Sequence, residues 1–178
     1  MGLRAGVLRN TAGVVIALVV SAAIAGSVAA QGQQAGQTTG LPIPRFVSLA
    51  AAQVNVRNGP GSEYPIAWQF VRARYPVEVV NEYDNWRRIR DINGDMGWVL
   101  GTLLSAERTA IVRGEAGTTA NLYAQPTTTS AVTYVLQAGV QASINQCNNG
   151  WCRLVDARFN GWIEQTLLWG TYPNERVE

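Results

Sequence analysis

The chain of 178 residues contains no histidine and no lysine, so all 14 of its basic residues are arginines. Without histidine it cannot build a Ser-His or Cys-His nucleophile pair, or a zinc site with histidine ligands. Without lysine it cannot form a Schiff base or the lysine-phosphate contact of a P-loop. These two absences exclude several common classes of enzyme chemistry.

Within the first 30 residues, a short basic stretch without acidic side chains precedes a long run of small and apolar residues. Arg4 and Arg9 precede "TAGVVIALVVSAAIAGSVAA", and small residues occupy the cleavage positions near Ala30. This pattern is typical of a secretory signal peptide, so we predict a signal peptide over residues 1–30 and a periplasmic or secreted location. An uncleaved membrane anchor is the alternative, because a run of this length can span a bilayer.

Cleavage after residue 30 changes the net charge of the chain. It removes 2 of the 14 arginines and no acid, so 12 arginines face 12 acids and the mature chain is neutral. A neutral chain lacks the basic surface that nucleic-acid binding requires. The prediction is therefore no nucleic-acid partner and, after cleavage, no membrane association.

The next segment, residues 31–44, has no aromatic and no charged side chain and ends in two prolines. This composition predicts a flexible linker. Beyond Arg45 no apolar stripe recurs at helical spacing. Short alternating runs such as "AAQVNVR" and "YPVEVV" are instead broken by Gly, Asn, Asp and Pro. They predict an all-β fold of small barrels.

The two halves of this region match each other at three places in the same order. "VNVRNGPG" (54–61) aligns with "ANLYAQPT" (120–127), "NWRRIRD" (85–91) with "GWCRLVD" (150–156), and "GWVLGTLL" (97–104) with "GWIEQTLL" (161–168). Three ordered anchors indicate an internal repeat. We predict one module over residues 45–106 and a second, degenerate copy over residues 107–173.

The first copy resembles the bacterial SH3 (SH3b) domain through "VNVRNGPGSEYPIAWQF", "NWRRIR" and "GWV". The resemblance implies two tandem SH3-like β-barrels and a non-catalytic binding role, commonly towards the bacterial cell wall. The second copy departs from the pattern, because Tyr123 stands where the first copy has Arg57. Any role of Arg57 is therefore restricted to the first module.

The stretch "GPG", residues 59–61, ends a predicted strand. Its two glycines can adopt positive φ and its proline fixes φ, which predicts a tight turn instead of a phosphate-binding loop. Arg57 either braces this turn or lines a ligand groove, where its guanidinium pairs with a carboxylate of a peptide stem.

Aromatic side chains are the other candidates for a binding groove, since aromatic faces suit sugar rings and polyproline helices. Strand alternation puts Ile89 towards the core and Trp86 on the opposite face. Trp98 and Trp162, each following a glycine, are expected to close the cores. The candidate ligand-binding residues are Arg57, Tyr64, Trp68, Tyr83, Trp86 and Trp151.

The only two cysteines lie in "QCNNGWC", residues 146–152. Four residues separate Cys147 from Cys152 across a turn, so the pair can meet across a hairpin as a structural disulfide in an exported protein. A metal site would lack two ligands. We predict no metal and no cofactor.

The sequence thus predicts an exported, non-catalytic binding protein that recognises peptidoglycan or its peptide stems through the first module. An alternative is a periplasmic adaptor that binds an extended or proline-rich segment of a protein partner. A third hypothesis is a carboxylate-dependent hydrolase using acids of the first module, although small barrels seldom enclose a cleft that desolvates an acid. Its candidate acids are Glu82, Asp84, Asp91 and Asp95.

Overall fold

The computed structural model describes residues 34–178. The expected signal peptide, residues 1–30, lies outside the described residues. Within residues 34–178 the regular structure consists of strands and two 3-10 turns, which confirms the all-β prediction. No helix in this part of the chain is long and apolar enough to cross a membrane.

A short hairpin precedes two modules that each contain seven strands. The hairpin consists of β1 (Gln34–Ala35) and β2 (Pro42–Ile43). The first module contains β3 (Arg45–Leu49), β4 (Val54–Arg57), β5 (Ile66–Phe70), β6 (Pro76–Tyr83), β7 (Trp86–Arg90), β8 (Met96–Leu100) and, after a 3-10 turn at Gly101–Leu103, β9 (Leu104–Ser105). The second contains β10 (Thr109–Val112), β11 (Thr119–Tyr123), β12 (Val132–Gln137), β13 (Gln141–Asn148), β14 (Trp151–Val155), β15 (Asn160–Glu164) and, after a 3-10 turn at Gln165–Leu167, β16 (Leu168–Trp169).

The two modules have the same sheet topology. The strand order is β5-β4-β8-β7-β6-β3-β9 in the first and β12-β11-β15-β14-β13-β10-β16 in the second, with antiparallel neighbours throughout. Each strand therefore has a counterpart, for example β4 with β11 and β7 with β14. The structure supports the internal repeat that the three sequence anchors indicated.

Each module has its own apolar core, built from alternate positions of its strands. Val54, Val56 and Ile89 are fully buried in the first core, and Leu122 and Ile163 in the second. Burying an aliphatic side chain of this size contributes roughly 1.5–3 kcal/mol. The alternate residues of β4 and β7 consequently face outwards, which positions the candidate binding residues.

The segment predicted to be a flexible linker, residues 31–44, is folded over its described part. β1 pairs with β2, and the loop between them contacts Glu82 of β6. The backbone N–H groups of Thr38 and Thr39 donate to Oε2 of Glu82 at 3.1 and 2.9 Å, and the Thr39 hydroxyl donates to its Oε1 at 2.7 Å. The linker prediction is wrong here because a partner far away in sequence supplies the contacts that the segment itself lacks.

The two modules pack against each other around an aromatic cluster. The rings of Phe46 and Trp169 meet edge to face at 4.9 Å, and both are buried together with Ile111. The Trp169 indole N–H donates to the Pro76 carbonyl at 3.1 Å, and the Tyr172 hydroxyl donates to Glu78 at 2.8 Å. Both bonds link the second module to the first.

Residues 174–178 extend the second module beyond the predicted boundary at residue 173. The backbone of Val177 exchanges two hydrogen bonds with Cys147 of β13, at 2.9 and 3.1 Å, and its side chain is buried in the second core. Arg108 forms an ion pair with Glu175 at 2.8 Å. This segment therefore acts as an additional short edge of the sheet.

Candidate functional site

The outward residues of β4 and β7 line one cavity of about 420 Å³ in the first module. Arg57 lies on β4 opposite the inward Val56, and Trp86 lies on β7 on the face opposite the inward Ile89. The structure thus brings Arg57 and Trp86 to the same cavity. The remaining lining residues are Gln53, Asn55, Ser62, Leu100 and Leu103.

Arg57 braces the turn, which is one of the two roles that its position suggested, and its side chain also lines the cavity. Its Nη1 donates to the backbone carbonyl of Tyr64 at 2.6 Å, which braces the turn after β4. Within residues 34–178, the Nε and Nη2 groups have no protein acceptor. A guanidinium that is oriented by one hydrogen bond and retains free donors can donate to a planar anion such as a carboxylate.

The "GPG" segment forms the predicted turn, with the Asn58 N–H donating to the Pro65 carbonyl at 3.1 Å. Neither glycine has the positive φ that we expected. Gly59 is required for space, because a Cβ there would clash with the ring of Tyr64, and a Cβ on Gly61 would clash with the carboxylate of Glu63. The ring of Tyr64 therefore lies over Gly59, outside the cavity lining.

Tyr83 and Trp68, two further candidates, do not line this cavity. Tyr83 is 62% exposed at the end of β6, directly opposite Trp86, so the two side chains share one face of the hairpin. Trp68 packs against the first core with Phe70. It lines a different cavity of about 570 Å³, together with Tyr75.

Trp151, the candidate in the second module, lies in a different environment from Trp86. The strand registers place Tyr123 at the position equivalent to Arg57, and its ring meets the edge of Trp151 at 5.7 Å. The second module therefore replaces the guanidinium with an aromatic contact. Trp151 instead contributes to a cleft of about 650 Å³ on the β13–β14 hairpin.

The expectation that Trp98 and Trp162 close the cores is wrong. Both are half-buried, and strand alternation directs them away from the buried neighbours Val99 and Ile163. The glycine before each tryptophan faces inwards instead. A Cβ on Gly97 would clash with Val56, so the glycines, not the tryptophans, fit the tight interior.

Of the acids considered for hydrolysis, Glu82 and Asp91 have carboxylates engaged in structural contacts. Glu82 is buried and accepts hydrogen bonds from Thr39 and from Arg45, the latter at 2.8 Å, while Nε of Arg87 lies 3.5 Å away. Burial raises the pKa of the carboxyl, but the hydrogen bonds from Thr39, Arg45 and Thr38 outweigh it and lower the pKa to about 2. Glu82 is therefore an ionised anchor.

The other three acids, Asp84, Asp91 and Asp95, lie in the same module. Oδ1 of Asp91 accepts hydrogen bonds from the backbone N–H groups of Asn93 and Asp95, each at 2.9 Å. Asp84 occupies the β6–β7 turn with φ of 46°. Among residues 34–178 no group of three or more acids and cysteines could hold a metal ion.

The disulfide prediction is confirmed. Cys147 and Cys152 are bonded across the β13–β14 hairpin, with their Cα atoms 4.1 Å apart. Asn149 and Gly150, the two turn residues, have φ of 49° and 78°. Positive φ at both positions is what a two-residue hairpin turn requires, and Asn-Gly is the preferred pair.

Comparison with known families agrees with this geometry. The bacterial SH3 domain profile matches residues 50–106 and 116–170. The chain belongs to the bacterial SH3 domain family. The two matched segments correspond to the two modules of this SH3 protein, so the resemblance stated from the sequence is confirmed for both copies.

Among curated proteins, the SH3 chain is similar to "Putative N-acetylmuramoyl-L-alanine amidase YrvJ" of Bacillus subtilis (strain 168). The two are 29% identical over 143 residues, covering 70% of this chain and 27% of that relative. The chain thus spans about a quarter of the relative's length.

Among solved structures, there is a weak overall likeness to NlpC2 and NlpC1 of Trichomonas vaginalis. The identities are 16% and 17% and the TM-scores 0.32 and 0.31. The matches cover 71% and 75% of this chain and 48% of each of those chains. No conclusion rests on these two likenesses.

Proposed function

We propose that this protein is an exported, non-catalytic binding protein whose first module recognises the peptide stems of peptidoglycan. The observation that carries the proposal is the cavity shared by Arg57 and Trp86. It combines a cationic donor group with an aromatic wall and apolar side chains, and no acid lines it. The name of the amidase relative, which specifies a bond of the cell wall, supports this choice of ligand.

The chemistry of the cavity fits a short peptide that carries carboxylates. The braced guanidinium of Arg57 presents its free donors to a planar anion, and such charge-assisted pairs are stronger than neutral hydrogen bonds. The indole of Trp86 supplies apolar contact area, and the side-chain amides of Asn55 and Gln53 can bind a peptide backbone.

The test is co-sedimentation of residues 31–178 with purified peptidoglycan sacculi. We expect saturable pelleting, with an affinity at least tenfold weaker for the variants Arg57→Ala and Trp86→Ala. Arg88→Ala is the matched control. Arg88 is an exposed arginine of β7, the strand of Trp86, and does not line the cavity. Its affinity should remain within about twofold of the wild type.

Two outcomes would contradict the proposal. If the wild type does not pellet, the adaptor hypothesis takes its place, and crosslinking should then identify a protein with an extended or proline-rich segment. If Arg88→Ala weakens pelleting as much as Arg57→Ala does, the attraction comes from general positive charge. The cavity would then have no specific role.

A further inference from the structure

The cleft on the second module differs in its chemistry from the cavity of Arg57. It has a volume of about 650 Å³ and is walled by Trp151 of β14 and Trp162 of β15. Volumes of this size are typical of small-molecule sites. Four side-chain amides also line the cleft, from Asn145, Gln146, Asn148 and Asn149.

These amides are free to bind a ligand. Within residues 34–178, none of the four side-chain amides forms a hydrogen bond with another protein group. Each amide offers both a donor and an acceptor. A ligand that presents hydroxyl or acetamido groups could pair with both.

The side chains that line the cleft carry no net charge. Arg176 and Glu178 are its only charged lining residues, and they form an ion pair with each other at 2.7 Å. An uncharged ligand therefore suits this cleft better than an anion such as a carboxylate. By contrast, the cavity of Arg57 is lined by this one charged side chain and by no acid.

The walls of the cleft are fixed before any ligand arrives. The disulfide between Cys147 and Cys152 ties its two hairpin strands, and the backbone of Val177 is bonded to Cys147 on the other side. Tyr123 contacts Trp151 edge to face. A preformed site loses less conformational entropy on binding than a flexible one.

We propose that this cleft binds an uncharged, N-acetylated saccharide chain, with Trp151 and Trp162 contacting the sugar rings and the amides pairing with hydroxyl and acetamido groups. Aromatic rings provide flat apolar surfaces that match the C–H faces of pyranose rings, and polar groups at the edges give orientation. The inference does not rest on the proposed function of the first module, because it uses other residues and another ligand chemistry.

The test is calorimetric titration of the full chain, in its oxidised form, with the β-1,4-linked tetramer of N-acetylglucosamine. This probe has sugar and acetamido groups but no peptide and no charge. We expect saturable binding that is at least tenfold weaker in Trp162→Ala and severalfold weaker in Asn148→Ala. Asn148 is an exposed residue, so its variant reports on binding even if Trp162→Ala fails to fold.

The matched control is Trp98→Ala, which removes a half-buried tryptophan at the position of the first module equivalent to Trp162, does not line the cavity of Arg57, and should bind the tetramer like the wild type. The proposal would be overturned if the wild type shows no saturable binding. It would also be overturned if Asn148→Ala and a folded Trp162→Ala both bind the tetramer with full affinity. Loss of binding in Trp98→Ala would assign the sugar to the first module and also overturn the proposal. Failure of the stem-binding proposal would leave this titration unchanged.

Discussion

The two modules stabilise the same cross-strand position in different ways. The strand registers make Glu82 equivalent to Cys147, and Arg87 equivalent to Cys152. In the first module this position holds a buried carboxylate whose oxygen lies 3.5 Å from the Arg87 guanidinium, and in the second a disulfide. One fold thus accepts an ionic or a covalent connection between the strands of its long hairpin.

Each connection also anchors a segment outside the repeat. Glu82 binds the β1–β2 hairpin through Thr38 and Thr39, whereas Cys147 binds Val177 through backbone hydrogen bonds. A carboxylate can accept several hydrogen bonds at once, so it suits a loop with free N–H groups. A disulfided cysteine leaves only its backbone for this purpose, and the added segment pairs as a strand.

A second difference between the modules concerns the cavity beside Trp68, which Asp95 lines in the first module. Asp95 precedes β8 and Phe159 precedes β15 at equivalent positions, each accepting a backbone hydrogen bond from an aspartate. Phe159 is buried against Tyr134 at 5.4 Å, while Asp95 is exposed. An aromatic ring fills in the second module the space that remains open in the first.

The largest difference in stability is expected when Phe159 and its counterpart Asp95 are each replaced by alanine. Phe159→Ala should lower the free energy of unfolding by about 3–5 kcal/mol, because it leaves a cavity in the second core. Asp95→Ala should change it by less than about 0.5 kcal/mol. Urea denaturation of both variants measures the difference. Similar losses of stability in the two would contradict the difference in packing between Phe159 and Asp95.

The ionic connection should make stability depend on acid. The folded-state pKa of Glu82 is about 2, below the ordinary value of 4.5, so its contribution is complete above about pH 4.5 and is lost as the pH falls towards 2. The contribution is about 3 kcal/mol. Urea midpoints of wild type and Glu82→Gln should differ at pH 7 and converge near pH 2.

Glu115→Gln is the control for this pH series, because Glu115 is an exposed acid without a side-chain partner in the described part of the chain. It should follow the wild type at every pH. A constant gap between wild type and Glu82→Gln down to pH 2 would contradict the assigned pKa.

The covalent connection should depend on redox conditions instead. Replacing both Cys147 and Cys152 by alanine should cost about 2 kcal/mol, a modest value because the closed loop is short. Reductant should destabilise the wild type by a similar amount and leave the alanine variant unchanged. If reduction shifts the urea midpoint of both proteins equally, the effect does not come from this disulfide.

The smallest effect concerns the contact between the modules. Trp169→Phe removes the hydrogen bond to the Pro76 carbonyl while keeping an aromatic ring, so the expected loss is about 1 kcal/mol. Trp86→Phe is the matched control, since Trp86 donates no such bond in the described structure. Equal urea midpoints for wild type and Trp169→Phe would show that this bond contributes nothing to stability.

Much of the fold could be predicted from local patterns. The period of two placed Val54, Val56 and Ile89 inwards, and the Asn-Asn-Gly spacing predicted the disulfide. The same alternation, applied to Val99 and Ile163, would have placed the tryptophans before them outwards. That error came from treating a large aromatic as a core residue and overlooking the glycine that fits the interior.

Other features had no local signal. The hairpin at residues 34–43 depends on Glu82, and the packing of the modules depends on Phe46 meeting Trp169. Both pairs lie far apart in sequence, and a single sequence does not reveal which distant residues pair. For the candidate site, parity predicted that Arg57 and Trp86 face outwards, but their meeting in one cavity follows from the strand order.

The contact between the modules has a consequence for the three residues, 106–108, that join β9 to β10. Trp169, Tyr172 and Thr109 all bond to groups of the first module, so the association does not depend on that connection. A chain cut there would keep these contacts between its two pieces. The two modules are therefore held together both by the chain that connects them and by a direct interface of the kind found between subunits.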